Sequence, residues 1–251
     1  MSPTSQSILE PMVRKLLLWQ ALSDDDQEAL RTLPFRLMDF RRGEYIVREG
    51  DRPQYSCLLL SGFAIRHKIA GNGGRQIFSI HMQGDLADLQ NSLLGTADHN
   101  LQALNSVKVA MIPVEAVQQI SFDRPDIGRA MWFETLVDAS IFREWTLNVG
   151  RRDGKTRAAH LLCEFALRLE AAGLGEACDY VLPMTQEQLA DALALTSVHT
   201  NRMLMQLGSE GLISRTQRSV KIDNWVELAK AGDFDSAYLH LPTTQKAPTY
   251  L

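Results

Sequence analysis

The sequence predicts an α+β protein, in which a strand-rich N-terminal half is joined by one long helix to a largely helical C-terminal third. From Phe35 onwards, short apolar runs alternate with glycine-containing breaks at intervals of about 8–12 residues, which is typical of a β-sandwich or roll. From Pro125 to Val149 the apolar residues instead follow a helical spacing, with no glycine after Gly128. These two patterns predict the fold class.

The composition suits one large domain or two ordinary ones, since 45% of the 251 residues are hydrophobic. The net charge of −4 argues mildly against a nucleic-acid partner, because such proteins usually carry a basic surface. Local basic clusters offset this argument, and acidic residues beside them predict modest affinity with strong salt dependence. The clusters are Arg151, Arg152, Lys155 and Arg157, and then Arg202, Arg215, Arg218 and Lys221; the acidic residues are Glu187, Asp191 and Glu210.

The cysteines predict a reducing environment. Cys57, Cys163 and Cys178 show no paired spacing, so they are interpreted as structural thiols in a cytoplasmic protein. The first residues carry no charged and apolar regions of the kind a signal peptide has. The apolar runs are far too short to span a membrane, so no membrane partner is expected.

The N-terminal half is predicted to contain a helical stretch followed by strands. Residues 8–33 are predicted to be helical, and Ser23 with the three aspartates after it marks a helix start, because carboxylates favour the N-terminal end of the helix dipole. The glycine-rich segment 71–74 predicts a hairpin turn. The predicted strands are Tyr45–Arg48, Ser56–Leu60, Ala64–Ile69, Arg75–His81 and Val107–Ile112.

The long helix at 125–149 is apolar around most of its circumference. Such a helix must be covered on all sides, so we expect one side to lie on the strands and the other on the same helix of a second chain. A break and hinge are predicted at Gly150–Gly154, and Asp153 is expected to cap a helix that runs to about Ala172. Residues 225–241 are predicted to be helical, and residues 242–251 to form a polar tail.

The stretch from Pro183 to Arg215 predicts two short helices joined by a tight turn. Thr185 is a good N-cap and Gln188 completes a capping box, while Thr196 caps the second helix and Gly211 ends it. The turn is placed at Ala194–Leu195. The apolar side of the second helix is assigned to Val198, Met203, Leu204 and Leu207.

A small hairpin is predicted directly after these helices, with strands at residues 212–215 and 220–222. Two helices and a hairpin in this order are typical of a winged helix-turn-helix, which places its second helix in the major groove of DNA. Such pairs of helices also occur in all-helical proteins, and winged helices are also used for protein contacts. A steep salt dependence would distinguish the DNA-binding function.

The exposed start of the second helix supplies the predicted DNA contacts. Arg202 can pair with guanine, and Asn201 is a candidate for adenine. Val198 either touches a thymine methyl group or faces the core. Ser197 and His199 contact phosphate or make no measurable contact, and Arg215 on the hairpin is a further DNA-binding candidate. Thr185, Gln186 and Thr196 are placed to offer helix N-terminal groups to phosphates.

The order of the predicted strands and helices from about Phe35 to Asp223 resembles that of the Crp/Fnr transcription regulators. The resemblance is carried by Gly43, Gly50, Gly62 and Gly84, by the Gly84-Asp85-Leu86 step, and by the stretch LADALALTSVHTNRMLMQLGSEGLI. It implies a double-stranded β-roll of the cyclic-nucleotide-binding kind, a long dimerisation helix and a C-terminal winged helix-turn-helix. The implied domains are 1–122, 123–150 and 151–241, followed by the tail 242–251.

The resemblance implies a bacterial homodimer, paired through residues 125–149, that binds double-stranded DNA at a near-palindromic operator. RNA polymerase and a small-molecule effector are further candidate partners. The family's cyclic-nucleotide binders carry an arginine for the phosphate, but Asn100 or a neighbour stands there, so cyclic AMP is not expected. The candidate effector residues are Gly84, Asp85, Leu86, Asp88 and Asn100.

Other family cofactors fit the sequence less well. The iron–sulfur members need four cysteines, mostly near the N-terminus, and the first cysteine here is Cys57. Haem would have His67, His81 and Cys57 as candidate ligands, although strand histidines are more often packed or exposed residues. No cofactor is therefore predicted. Control is assigned to an effector other than cyclic AMP or, as the alternative, to the abundance of an effector-independent regulator.

The rival from a different class is a cupin-like metal enzyme. His81, Asp85 and His99 supply the residue types of a two-histidine, one-carboxylate site. Their spacing differs from the usual cupin motif, in which the histidines lie one residue apart, and Asp85 fits a turn after Gly84. No nucleophile elbow, phosphate-binding loop or dinucleotide fingerprint is present in the sequence. We therefore predict neither an enzyme nor a metal site.

Overall fold

The computed structural model describes residues 8–242, so residues 243–251 of the predicted tail lie outside the described residues. The described chain divides into two compact units. The first comprises residues 8–68 and 79–139, and the second comprises residues 69–78 and 140–242. No helix in this part of the chain is long and apolar enough to cross a membrane.

The first unit begins with two helices rather than with one continuous helical stretch. Ser23 ends the connection between them and caps the second, because its side chain accepts a hydrogen bond from Asp26 N. The helices and strands that follow are listed by their bounds. They are α1 Glu10–Leu17, α2 Asp24–Arg31, β1 Arg36–Phe40, β2 Tyr45–Val47, β3 Tyr55–Ser61, β4 Ala64–Ile69, β5 Arg75–His81, α3 Asn91–Leu94, β6 Asn100–Ala103, β7 Val107–Pro113, α4 Val114–Asp123 and α5 Pro125–Arg151.

The strands form one sheet in the order β1-β7-β3 and another in the order β2-β6-β4-β5. In the first sheet β7 pairs antiparallel with both neighbours, so that Ala110 lies opposite Leu37 and Leu58. Strands β1 and β6 were missed by the sequence analysis. Strand β1 has no alternation of apolar and polar residues, and β6 has only four residues.

Two apolar clusters hold this unit together. One includes Cys57, Leu59, Leu101 and Val109 on the strands. The other packs α1, α2, α4 and the start of α5 against residues of β3 and β7, with Leu58 and Ile112 among its members. The α4–α5 contact is especially close, because a Cβ on Gly128 would lie 2.3 Å from the Ser121 carbonyl oxygen.

Helix α5 is longer than predicted and runs through Gly150 to Arg151. The helix continues past Gly150, but it ends within the predicted break at Gly150–Gly154, where Arg152 and Asp153 separate α5 from the next helix. Asp153 caps that helix as predicted, since its side chain accepts from Thr156 N at 2.9 Å. Arg152 is held in place by Glu144 at 2.7 Å and by Asp233 at 3.0 Å. The connection is therefore held by ion pairs of Arg152, and its predicted role as a hinge stays a prediction.

The second unit is mainly helical with one small sheet. Its sheet has the order β8-β10-β9, and strand β8 was missed by the sequence analysis because it has only three residues. The final predicted helix is shorter than 225–241, since it ends at Ala231 before a separate 3₁₀ turn. The elements after α5 are α6 Gly154–Ala171, β8 Asp179–Val181, α7 Gln186–Leu193, α8 Ser197–Ser209, β9 Ile213–Thr216, β10 Ser219–Ile222, α9 Trp225–Ala231 and the 3₁₀ turn Ser236–Leu239.

A buried polar network joins three parts of this unit. The Glu164 carboxylate on α6 accepts hydrogen bonds from Trp145 Nε1 at 2.9 Å and from Tyr238 OH at 2.8 Å. His160 Nε2 lies 3.0 Å from the same Tyr238 hydroxyl. Because a buried carboxylate is stabilised only when its oxygens are hydrogen-bonded, this network fixes the end of α5 and the C-terminal turn on α6.

Candidate nucleic-acid interface and β-roll interior

Helices α7 and α8 form the predicted pair with a tight turn between them. Thr185 and Gln188 make a full capping box, with Gln188 N donating to Thr185 Oγ1 at 3.2 Å and Thr185 N to Gln188 Oε1 at 2.9 Å. Ala194 ends α7 in the left-handed region at φ 53°, and Thr196 caps α8 by accepting from His199 N. The predicted caps and turn are confirmed.

The turn between the helices is held from α6. Arg157 donates from Nη1 to the carbonyl oxygens of Leu193 at 3.0 Å and Ala194 at 3.4 Å. These carbonyls end α7 and have no partner within the helix, so the guanidinium satisfies them. The predicted role of Arg157 in a basic cluster is therefore replaced by a structural one.

The buried side of α8 is formed by Thr200, Leu204 and Leu207, at helical spacings of four and three. The assignment of Val198 to this side is wrong, because the Val198 side chain is 81% exposed. Thr200 takes the inward position instead. The sequence analysis assigned Val198 to the core because valine is more hydrophobic than threonine. The helical spacing from Leu204 and Leu207 instead favours Thr200.

The outward side of α8 is a stripe of four exposed residues, which we call the α8 stripe: Val198, Asn201, Arg202 and Met205. They lie at spacings of three and four, so they share one face of the helix. Asn201 Nδ2 lies 3.8 Å from Met205 Sδ. Met205 was missed because a methionine in a helix is ordinarily a core residue, and its 67% exposure shows only in the structure.

The other predicted contact residues differ in accessibility. Gln186, Thr196 and Ser197 are exposed at the starts of the two helices. Thr185 is half-buried, and its hydroxyl is engaged in the capping box. His199 is half-buried and lies over Gly154, where an added Cβ would stand 3.1 Å from Nε2. The first group therefore offers polar atoms to solvent, while the side chains of the second have packing roles.

Several charges near the α8 stripe are paired within the chain. Glu210 is paired with Lys155 at 3.0 Å, and Asp191 with Arg75 at 2.7 Å. These pairs neutralise two of the three acidic residues that were expected to dilute the basic surface. They also use Lys155, so the predicted cluster at residues 151–157 is largely tied up in internal contacts.

The hairpin β9–β10 forms the predicted wing, with Val220 opposite Arg215. Its basic residues are all exposed: Arg215, Arg218 and Lys221. With Arg202, these three side chains leave the wing and α8 with a set of exposed cations suited to phosphates and base edges.

The candidate effector residues of the β-roll are buried and engaged. Asp88 Oδ1 accepts from Cys57 N at 2.7 Å and from Ser56 Oγ at 3.2 Å, and burial raises the pKa of Asp88. Asp85 lies 3.0 Å from Lys15 Nζ and accepts from Met82 N at 3.1 Å. These contacts give the two carboxylates structural roles within the chain.

Asn100 also makes an internal contact, since its Oδ1 accepts from Glu49 N at 3.2 Å. Leu86, another candidate effector residue, is buried in the core, and its backbone forms a β-bridge with Leu58. Gly84 has φ +93° and lies close to α1, where a Cβ would stand 3.0 Å from the Pro11 carbonyl oxygen. The glycine is therefore required by the turn and by this approach.

The sequence analysis missed Arg66, a buried guanidinium on β4 that is only 3% exposed. Its Nε donates to the Ala87 carbonyl at 2.8 Å, its Nη2 lies 3.3 Å from Gln90 Oε1, and its Nη1 pairs with Asp138 on α5. A buried arginine is stable only when its donors are paired. The sequence signal was weak, because an arginine in an alternating strand is ordinarily assigned to the solvent side.

The buried histidines do not assemble the cupin-like site. His81 Nδ1 lies 3.4 Å from Asp85 Oδ2, but His99 Nδ1 bonds to Asp98 instead, at 2.7 Å. Burial lowers the pKa of His81 to about 4. Among residues 8–242, no group of three histidine, cysteine or acidic side chains has the geometry of a metal site.

The cysteines and the candidate haem ligands are enclosed. Cys57, His67 and His81 are all buried, and burial raises the pKa of the Cys57 thiol. Cys163 is buried as well, and burial raises its pKa, whereas Cys178 is half-buried. Because thiolates are disfavoured in such surroundings, these two buried thiols serve as packing groups, as predicted.

Comparison with known families identifies both units. A model described as a cyclic nucleotide-binding domain matches residues 37–123, and one described as a Crp-like helix-turn-helix domain matches residues 156–231. Two similar proteins are the transcriptional activator FnrL of Cereibacter sphaeroides and the transcriptional activator anr of Pseudomonas aeruginosa. Each is 24% identical, over 84% and 85% of this chain respectively and 87% of its own length. These relatives are transcription regulators and not enzymes.

Solved structures share the fold. FixK2 from Bradyrhizobium japonicum superposes with a TM-score of 0.72 at 23% identity, covering 79% of this chain and 98% of its own. A CooA mutant from Carboxydothermus hydrogenoformans gives a TM-score of 0.63 at 16% identity, covering 87% and 94%. The order of β-roll, long helix and winged helix-turn-helix is thus found in all three chains.

Proposed function

Because this chain belongs to the Crp/Fnr family of transcription regulators, we propose that it binds a near-palindromic operator in double-stranded DNA as a homodimer, without cyclic AMP. The observation that carries this proposal is the α8 stripe, which leaves Arg202 and Asn201 exposed beside a basic wing. Exposed guanidinium and amide groups at the start of such a helix are the side chains that read guanine and adenine.

The contacts divide by chemistry. Arg202 reads guanine and Asn201 adenine, while Arg215 and the helix starts at Gln186, Thr196 and Ser197 hold phosphates. Thr185 and His199 take part through backbone and packing, since their side chains are already engaged. Phosphate contacts release counterions, so binding becomes weaker at higher salt.

Dimerisation is assigned to residues 125–149. Trp132 and Leu136 on α5 are 68% and 52% exposed, and Leu147 further along is also exposed. Large apolar side chains on one exposed helix face favour burial against a second copy. Two-fold pairing would set the recognition helices about 34 Å apart, one turn of DNA.

Control by a signal other than cyclic AMP is supported by the chemistry of the cassette at 84–100. A cyclic phosphate needs a cationic partner, and the guanidinium near this cassette, Arg66, is already paired with Asp138 and with the Ala87 carbonyl. Asp85, Asp88 and Asn100 are buried beside it and hydrogen-bonded to the chain. We therefore propose that the effector of these residues is an uncharged or cationic molecule.

The Arg66–Asp138 pair favours a second candidate, an effector-independent regulator set by its abundance. The pair links β4 to α5 by residues of the chain itself, in the first unit. Because this ion pair needs no ligand, it could hold α5 in its DNA-binding position in the apo-protein. Arg66→Met would then weaken operator binding by the apo-protein, while added cyclic AMP would change nothing.

The test is selection of duplexes from random DNA by the purified apo-protein at physiological salt. A two-fold symmetric site would support the regulator function and show that no effector is obligatory. Recovery only after adding a cell extract would support control by a ligand. If no duplex is recovered under any condition, and the residual affinity for random DNA does not change with salt concentration, a winged helix used for protein contacts is favoured instead.

Two further expectations complete the proposal. RNA polymerase is a candidate partner of an activator, and the cytoplasm is the compartment in which such a regulator meets DNA. Both follow from family membership and are checked by co-purification with polymerase on operator DNA and by fractionation.

A further inference from the structure

Val198 is an apolar side chain exposed where a DNA-binding helix would meet base edges. It is the second residue of α8, it is 81% exposed, and Thr200 rather than Val198 packs inward. A branched hydrocarbon in this position has no hydrogen-bonding group. It can therefore neither donate to a purine N7 nor accept from a cytosine amine.

The major groove offers one prominent apolar group on the base edges, the 5-methyl group of thymine. We infer that Val198 is a specificity-determining residue that selects thymine through contact with this methyl group. The inference rests on the proposed function, because it needs α8 to lie in the major groove of DNA.

The position of the thymine follows from the helix geometry. Val198 and Arg202 are four residues apart on one face, which corresponds to about 6 Å along the helix axis. Since successive base pairs are about 3.4 Å apart, the selected thymine lies within about two base pairs of the guanine read by Arg202. Each half-site of the operator then contains a thymine and a guanine at this short spacing.

Met205, the other apolar member of the α8 stripe, is a weaker candidate for the same contact. It lies seven residues, or about 10 Å, further along the helix from Val198. Residues at the N-terminal end of a recognition helix reach the base edges, whereas later ones leave the groove. Val198 is therefore assigned the contact.

The chain contains a matched control. Val226 is also a valine at the second position of a helix, α9, and it is 62% exposed. Because neither valine is buried, alanine at either position should leave the fold intact. The two variants differ in whether they lie on the α8 stripe.

The experiment replaces each operator thymine in turn by deoxyuridine, which lacks only the methyl group, and measures the Kd of each duplex. For the wild-type protein, one thymine in each half-site should show a loss of about fourfold, which equals the ~0.8 kcal/mol of one buried methyl group. Val198→Ala should bind the thymine duplex less tightly and show no further loss with deoxyuridine. Val198→Thr, which keeps one methyl branch, and Val226→Ala should both retain the loss.

Two results would overturn the inference while leaving the proposed function intact. One is a wild-type protein that binds its operator but is indifferent to every deoxyuridine. The other is a loss that persists unchanged in Val198→Ala. Absence of any sequence-selective binding would overturn the inference and the proposed function together, and the selection experiment identifies that case before any substituted duplex is made.

Discussion

At the scale of single residues, exposure separates the candidate DNA-contacting side chains from those that pack within the chain. Arg202 and Val198 face outward on α8, whereas Thr200, two residues from each and on the opposite side of the helix, is fully buried. Arg157 is close in sequence to other cations but serves two carbonyl groups of the chain. Residue type alone would have placed valine in the core, threonine on the surface and all the arginines at the DNA contact.

We expect Arg202→Ala to weaken binding to the selected operator by about 1–3 kcal/mol and to relax the preference at one base pair, because the bidentate contact to guanine is lost. Stability should be unchanged, since Arg202 is exposed. Titration of labelled duplexes that differ at single positions measures both effects. Arg218→Ala is the comparison, and should weaken all sequences alike and reduce the salt slope by about 1. Equal effects of the two variants on sequence preference would contradict the assignment.

We expect the stability of the protein to fall as the pH drops from about 6.5 towards 4, in part through His81. Burial lowers the His81 pKa to about 4, so the unfolded chain binds a proton in this range that the folded chain does not. The full difference is worth about 3 kcal/mol and is reached near pH 4. Asp85, Arg66 and Asp138 are the charged groups that act on His81.

Urea unfolding between pH 7 and pH 5 checks this prediction. The slope of the unfolding free energy against pH should be smaller in His81→Gln than in the wild type, whatever the absolute stability of the variant. A slope in His81→Gln equal to that of the wild type would assign the effect to other groups.

At the scale of elements, helix α5 shows two glycines with opposite surroundings. Gly128 packs against the Ser121 carbonyl oxygen on α4, where a Cβ would lie at 2.3 Å, while nothing lies within 4 Å of the Cβ position at Gly150. Helical periodicity located the helix but could not show which glycine is needed. The close crossing of α4 and α5 decides it.

We expect Gly128→Ala to destabilise the protein by about 1–3 kcal/mol, because the added methyl group forces α4 and α5 apart. Gly150→Ala should be neutral or stabilising by up to about 1 kcal/mol, since alanine favours the helix. Thermal or urea unfolding of the two variants measures the difference. A destabilised Gly150→Ala would indicate that residue 150 needs conformational freedom, as a hinge would.

At the scale of the whole molecule, the proposed operator recognition requires two copies of the chain. Helix α5 carries apolar residues that are exposed among the described residues 8–242, with Leu136 at 52% exposure. Two recognition helices linked in a dimer would bind an operator with higher affinity than one, because binding of the second helix becomes intramolecular.

We expect Leu136→Glu to convert the dimer into monomers and to weaken operator binding by about two orders of magnitude or more. The reason is that a glutamate cannot be buried in an apolar interface without a partner. Sedimentation equilibrium measures the mass, and DNA titration measures the affinity. Leu37→Glu, at an equally apolar exposed position on β1, should stay dimeric. If Leu136→Glu remains a dimer, the interface lies elsewhere.

The sequence by itself determined the order of the elements and the local ends of the helices. Ser23, Asp153, Thr185 and Thr196 cap helices as predicted, because a cap depends on residues three positions apart in the chain. The winged helix-turn-helix and most of its candidate DNA-binding residues followed from the same local signals.

The tertiary structure alone decided which polar groups are free and which are used within the chain. Four features depend on residues distant in sequence. They are the burial of Arg66 beside Asp138, the exposure of Val198, the ion pair of Arg152 with Asp233 and the internal contacts of Asp88. The physical reason is that burial and long-range hydrogen bonds are properties of packed elements, and no local pattern specifies the partner that an element meets.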